Sequence, residues 1–183
     1  MATTIPTHFN FARDVVERWA KERPDALALW CVSEPEGAEQ KLTFREVAEK
    51  LKRAASFFRQ LGLKRGDRVL TIMPRVPQWW IGMLGLIRLG VVPIPGTPLL
   101  TGRDIKYRLE ASEATALITD EEGAAKAEGL QLTQRICIDG ERRGWTSFDA
   151  GLRQADPDFE RQVQERPVGQ EGIADSSQPT IDI

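Results

Sequence analysis

Apolar residues along this chain fall into two alternating rhythms. Short continuous runs at 26–32 (ALALWCV), 68–73, 91–94, 115–119 and 135–138 read as buried strands. Between them, apolar positions recur at helical spacing. Residues 11–21 carry Phe11, Val15, Val16 and Trp19 on one face, behind Asn10 as a cap and before the breaker Pro24. Phe44, Val47, Ala48, Leu51, Ala54, Ala55 and Phe58 form one buried face of a helix running to about residue 60. Its start is marked by Thr43-Phe44-Arg45-Glu46, a capping box, and its end by Gly62. Residues 33–40 read as a polar connection.

The chain is organised around residues 61–101. A turn at Gly66-Asp67 opens the strand 68–73. Residues 76–89 are apolar on most of a helix's circumference, which predicts a buried helix closed by Gly90. A second buried run, 91–94, ends in the rigid sequence Pro95-Gly96-Thr97-Pro98. Two apolar strands joined by a helix make a right-handed crossover in a parallel sheet, and ligands of open α/β sheets sit at the carboxyl ends of such strands. Further on, 101–104 starts a helix with Ile105 and Leu109 as its seam, 120–128 reads as a short helix, and Trp145, Phe148 and Leu152 share one helical face. The expected fold is α/β, a mainly parallel sheet flanked by helices. The body spans residues 1–154, and residues 155–183, polar and acidic, read as a tail without fixed structure.

Composition narrows the function. The 183 residues carry a net charge of −2 with 28% charged side chains, which suits one globular domain and leaves no nucleic-acid footprint. The basic run Lys64-Arg65-Gly66-Asp67-Arg68 carries its own Asp and reads as a solvated turn. The one membrane-like stretch, 76–95, is interrupted by Arg88, Pro93 and Pro95, so no span is expected. Cys31 and Cys137 lie in strand-like runs and read as reduced core thiols, and the N-terminus lacks a secretory pattern. The expected compartment is the cytoplasm, or the mitochondrial matrix in a eukaryotic source. His8 has no partner set, and no metal-ligand cluster, P-loop or G-x-G-x-x-G is present, so no catalytic or metal residue is assigned. Trp79-Trp80 reads as core packing, with an aromatic ligand platform as the other reading.

Four stretches together resemble the acyl-adenylate-forming (AMP-binding) enzymes, which include acyl-CoA synthetases. They are Leu42-Thr43-Phe44-Arg45-Glu46-Val47, the turn Leu61-Gly62-Leu63-Lys64-Arg65-Gly66-Asp67-Arg68-Val69, the segment Ile87-Arg88-Leu89-Gly90-Val91-Val92-Pro93-Ile94-Pro95, and Leu117-Ile118-Thr119-Asp120. Pro77-Gln78-Trp79-Trp80, Pro95-Gly96-Thr97 and Asp104-Ile105-Lys106-Tyr107-Arg108-Leu109 look most like the medium-chain branch. The resemblance implies the fold of that family's N-terminal subdomain. It also implies ATP, coenzyme A and magnesium as cofactors, and a fatty or aromatic carboxylic acid as substrate. Within it, Gly96, Thr97 and Leu99 stand where related synthetases border the coenzyme A channel; a structural turn capping the sheet is the competing reading.

The family's Thr/Ser/Gly-rich phosphate loop ending in Pro-Lys is not found. Asp175-Ser176-Ser177-Gln178-Pro179 is the nearest approach and reads as tail. The family's adenine motif, ribose-binding Asp and C-terminal catalytic Lys are not found either. The expectation is therefore an N-terminal portion of a medium-chain-type acyl-CoA synthetase, catalytically incomplete alone. The alternative is a non-catalytic interaction module or split-enzyme subunit that self-associates or complements a partner through exposed apolar faces.

Overall fold

The computed structural model describes residues 8–32 and 37–157. A π-helical segment, Ala12–Glu17, runs into α1 (Arg18–Glu22). Then follow β1 (Leu27–Val32), β2 (Glu39–Thr43), α2 (Phe44–Gln60), β3 (Arg68–Ile72), α3 (Pro77–Leu89), β4 (Val92–Gly96) and α4 (Gly102–Ser112). The remaining elements are β5 (Ala116–Thr119), α5 (Glu121–Lys126), β6 (Gln134–Cys137), β7 (Thr146–Ser147) and α6 (Phe148–Gln154). Five strands form a wholly parallel sheet in the order β4-β3-β5-β6-β7, while β1 and β2 pair antiparallel in a separate two-stranded sheet.

Side-chain alternation along the strands builds two cores. Val69, Ala116, Ile118, Ile136 and Ile138 face α2, α3, α6 and the first helix, with Leu51, Phe58, Leu86 and Phe148. Leu70, Ile72 and Leu117 face the other way, toward Ile105, Leu109 and Ala127 of α4 and the end of α5. Both sheet faces are therefore covered, which explains strands that are apolar throughout. At the β4 edge, the Val92 N–H donates to the Asp67 carbonyl (2.8 Å). The period of two then turns Pro93 and Pro95 outward, where a missing N–H breaks no ladder bond.

The local signals read from the sequence work as expected at most helix ends. Gly62 and Gly90 close α2 and α3 at φ +88° and +80°. Asn10 accepts from the Arg13 N–H (3.3 Å), and its amide also donates to the Ile87 carbonyl (2.8 Å), tying the first helix to α3. Arg88, inside the apolar run, pairs with Glu17 at 2.6 Å in a largely buried contact.

Three expectations are corrected. First, β1 is not part of the parallel sheet, because residues 39–43, partly read as connection, form its antiparallel partner. Only Leu42 of β2 is buried, so that strand shows no apolar alternation. Second, α6 begins at Phe148 with Ser147 as its cap. Trp145 lies before β7 and packs in the core opposite to that of Phe148 and Leu152. Third, α3 is not buried all round: Ile81, Leu86 and Leu89 are, but Trp80 is 46% exposed. At the far end, Ala155 is buried and its carbonyl accepts from Arg53 (2.8 Å). The stretch Asp175-Ser176-Ser177-Gln178-Pro179 lies outside the described residues.

Two capping boxes make stability depend on pH. In α2 the Thr43 N–H donates to Glu46 (2.7 Å) while the Glu46 N–H donates to the Thr43 hydroxyl (3.3 Å). Thr101 and Asp104 do the same for α4 (3.0 and 3.3 Å). The Thr43 amide holds the Glu46 carboxyl below its ordinary value of 4.5, and the Thr101 hydroxyl holds Asp104 below 3.8. Asp14 is lowered too, chiefly by its hydrogen bond from Arg13. A carboxyl with a lowered folded pKa contributes stability above its unfolded value and loses it as pH falls through the folded one. The melting temperature is thus expected to drop on acidification below about pH 4.5, less steeply in Glu46→Gln. Thr43→Ala is expected to cost about 1 kcal/mol at neutral pH. Thermal melts across pH check both.

Candidate functional site

Adjacent parallel strands release their following loops at the same end of the sheet. Here Thr71 is opposite Pro95 and Ile72 opposite Gly96, so Met73-Pro74-Arg75 and Thr97-Pro98-Leu99 leave side by side. The first loop enters α3 through Pro77 at its first turn, where the lost N–H would have no helical partner. The second is fixed by several bonds. Leu100 donates to the Thr97 carbonyl (3.2 Å), Leu99 donates to the Thr97 hydroxyl (3.3 Å), and Lys126 donates from Nζ to the Pro98 carbonyl (2.9 Å). Gly96 allows a tight approach: a Cβ there would lie 3.0 Å from the Leu100 side chain and 3.2 Å from the Ile72 side chain, which would have to shift slightly.

Between the two loops and the start of α3 lies a cleft of about 710 Å³. Met73, Pro74, Pro95, Pro98 and the indoles of Trp79 and Trp80 make its lining largely apolar, and Gly96 and Thr97 complete it beside Arg75. The two indoles meet edge to face, 4.7 Å between centroids at 82°. Trp79 packs partly against the main core, as expected for core packing, while Trp80 turns into the open cleft and corrects that reading. Arg75 is the single charged residue of the lining. Among the described residues its guanidinium has no ion pair or hydrogen bond. The first turn of α3 also lacks an acidic residue and a side-chain cap, so its amino-terminal field is uncompensated.

Of the three residues assigned from the sequence, Gly96 and Thr97 line the cleft. Leu99 stands outside it, 88% exposed, while its neighbour Leu100 is buried. Arg75 was not singled out for the site, Trp80 entered only through the second reading of Trp79-Trp80, and Pro98 only as part of the rigid loop. The available signal was the flanking pair Pro74 and Pro77, which makes the loop after β3 as rigid as the one after β4. The lining contains no carboxylate, so its donor set does not fit a magnesium ion, and a triphosphate would find one cation only. Among the described residues no group of three or more His, Cys, Asp or Glu could hold a metal. No described helix is long and apolar enough to cross a membrane. His8 is exposed. Cys31 is half-buried, Cys137 is buried, and both are free. Burial pushes the Cys137 thiol up, away from the reactive thiolate.

A parallel sheet wrapped on both faces, with a cleft at its strand ends, defines an open α/β domain. The family described as AMP-binding enzyme matches residues 16–175, and the chain belongs to that family. The match extends the resemblance read from residues 42–120 on both sides. Among curated proteins the chain is similar to mitochondrial acyl-coenzyme A synthetase ACSM5 of Rattus norvegicus, 37% identical over 166 residues, covering 84% of this chain and 28% of the relative. It is also similar to mitochondrial ACSM4 of Homo sapiens, 39% identical over 156 residues, covering 79% and 27%. Among solved structures, a long-chain-fatty-acid-CoA ligase (FadD1) from Archaeoglobus fulgidus superposes with a TM-score of 0.79 at 20% identity, covering 90% of this chain and 33% of that one. That likeness shows the fold alone. A benzoate CoA ligase from Burkholderia xenovorans superposes at 0.69 with 26% identity, covering 85% and 30%. The chain spans about 28% of the length of the curated relatives it matches.

Proposed function

We propose that this chain supplies the N-terminal α/β part of an AMP-forming acyl-coenzyme A synthetase acting on medium-chain or aromatic carboxylic acids. The observation that carries the reading is the family match over residues 16–175 together with 37% identity to an acyl-coenzyme A synthetase. In the reaction, a carboxylate oxygen attacks the α-phosphorus of ATP and pyrophosphate leaves. The thiol of coenzyme A then attacks the acyl carbonyl and AMP leaves. The chain's own contribution is a rigid wall. In this reading the loop of Gly96, Thr97 and Leu99 borders the coenzyme A path, and Leu99, which is exposed, would offer van der Waals contact rather than a side-chain hydrogen bond. Magnesium and the triphosphate are held by parts of the family's machinery that this sequence does not contain. Two free cysteines suit a reducing compartment, the cytoplasm or the mitochondrial matrix. A second reading, an interaction module, draws on β1, whose Leu27, Trp30 and Val32 are each about half exposed.

The test replaces the matching segment of the rat ACSM5 relative with residues 8–157 of this chain. Octanoyl- or benzoyl-coenzyme A formation is expected to return, whereas the isolated chain is expected to show no ATP–pyrophosphate exchange. In the chimera, Leu99→Asp is expected to raise KM for coenzyme A several-fold while sparing exchange, which needs no coenzyme A. A folded chimera without thioester formation overturns the assignment. Exchange by the chain alone overturns its incompleteness.

A further inference from the structure

We propose that Lys126 is a positioning residue for coenzyme A: resting on the reading above that the loop of Gly96, Thr97 and Leu99 borders the coenzyme A path, its ammonium holds the Pro98 carbonyl and thereby fixes where that loop stands. The need for an outside donor follows from the loop's sequence. Pro95 and Pro98 have no N–H, so half of Pro95-Gly96-Thr97-Pro98 cannot donate to its own turn. The bonds the turn makes within itself are at the long end of the range, 3.3 Å from the Leu99 N–H to the Thr97 hydroxyl and 3.2 Å from the Leu100 N–H to the Thr97 carbonyl. The Pro98 carbonyl takes its donor from 28 residues further along the chain, Lys126 Nζ at 2.9 Å. A hydrogen bond from a charged donor is roughly twice as strong as a neutral one.

The platform under Lys126 is stiff. Lys126 is the last residue of α5, and the start of that helix is tied down twice. The Gly123 N–H donates to Asp120 (2.8 Å) and the Glu121 N–H donates to Asp139 (2.8 Å), carboxylates just past the ends of β5 and β6. Gly123 lies so close to β5 that a Cβ there would overlap the Thr119 hydroxyl. Beyond α5, Ala127 is buried in the same core as Leu100. The main chain of Lys126 also meets the far end of the loop, where a Cβ on Gly102 would lie 2.7 Å from the Lys126 carbonyl oxygen. One residue thus seats the loop at both ends, Pro98 through its side chain and Gly102 through its backbone. Leu99 lies between the two seats, so releasing Pro98 frees it to move. Nζ also pairs with Glu122 at 2.8 Å, but the Glu122 side chain is 73% exposed, so that pair adds little.

The experiment joins amide hydrogen exchange in the full chain to kinetics in the chimera described above. In the full chain, Lys126→Met is expected to speed exchange of the Leu99 and Leu100 amides at least about tenfold, while the Leu117 and Ile118 amides of β5 keep the parent's protection. In the chimera it is expected to raise KM for coenzyme A about fivefold, with kcat and ATP–pyrophosphate exchange within about twofold of the parent. A lysine that served stability alone would not move KM for coenzyme A apart from that exchange. Lys126→Arg, which keeps a charged donor, is expected to stay near the parent in both readouts. Lys126→Gln, with a shorter neutral donor, is expected to fall between the other two and carries the same test if Lys126→Met disturbs the β5 amides. Parent-like exchange of Leu99 and Leu100 in the methionine and glutamine variants overturns the clamp. A parent-like KM for coenzyme A where Leu99→Asp raises it, or a loss of ATP–pyrophosphate exchange as large as the rise in KM, overturns the role toward coenzyme A. A parent chimera that forms no thioester fails the family reading and takes the coenzyme A role with it, whereas amide exchange in the full chain still decides the clamp, so the two failures are distinguishable.

Discussion

Phe58→Ala is expected to lower the unfolding free energy by about 4 kcal/mol. Phe58 is fully buried and stands at the meeting of α2 and α6. Its ring lies 5.5 Å from Phe57 and 6.1 Å from Phe148, and Phe57 meets Phe148 edge-on at 6.3 Å and 80°. Truncation removes the transfer energy of the ring and leaves a cavity bordered by the Phe57 and Phe148 rings within the main core. Those neighbours belong to helices anchored on a parallel sheet, so they have little freedom to collapse into the gap. A domain of this size holds only about 5–15 kcal/mol in reserve. The variant should therefore unfold at a much lower urea midpoint with an unchanged slope. Phe58→Leu, which keeps most of the volume, is expected to cost about 1.5 kcal/mol. A loss below about 1 kcal/mol in Phe58→Ala would show that the aromatic group is not the packing centre.

Phe58 was legible because its reasons are local. The capping box at Thr43, the three-and-four spacing through Phe58 and the closing Gly62 all point to one helix, and the structure keeps all three. Phe57 was not read as core, since it falls beside that seam. It is buried because α6 returns to cover the flank of α2, with Gly151 against its ring. Nothing near Phe57 in sequence announces a partner at position 151. The same limit applies to Trp145, where helical spacing from Phe148 suggested one face. The two-residue strand β7 turns the chain between them and sends each to an opposite side of the sheet.

The position of the cleft followed from topology, its composition less so. Two strands joined by a crossover helix, the second ending in Pro95-Gly96-Thr97-Pro98, pointed to a loop at the carboxyl end of the sheet, and the cleft lies there. Which side chains face the cleft depends on how the loops fold back. Thr97 takes the amide of Leu99 and the turn buries Leu100, so Leu99 is left in solvent while Pro98 joins the wall. Trp79 and Trp80 differ by one helical step, about 100° of rotation, which is enough to put one against the core and the other in the open. An apolar run conceals that difference, because its pattern carries no polar side to show which way the helix faces.

Two glycines of α3 three residues apart give the sharpest contrast. Gly85→Ala is expected to destabilise the chain by about 2–3 kcal/mol, and Gly82→Ala to be neutral or stabilising by up to about 1 kcal/mol. Both are buried in the interior of the same helix, so alanine gains the same propensity at each. The difference is what the new methyl meets. At Gly82 it would lie 3.7–3.8 Å from the Phe148 ring and the Met73 methyl, ordinary contact with side chains that can adjust. At Gly85 it would lie 2.6 Å from the Ala54 Cβ, 3.1 Å from the Ala55 nitrogen and 3.2 Å from the Ala54 carbonyl carbon. Two of those three atoms are α2 backbone, so the helices must separate. Separation also loosens the core that α2 and α3 share. Ala54→Gly in the Gly85→Ala background is expected to restore part of the loss: it removes the methyl–methyl clash, leaves the backbone approach, and itself costs about 1 kcal/mol of helix propensity. Urea titrations of the four chains form a double-mutant cycle whose coupling term measures the clash directly. A coupling near zero, or equal stabilities for Gly82→Ala and Gly85→Ala, would mean that α2 and α3 do not cross at these residues.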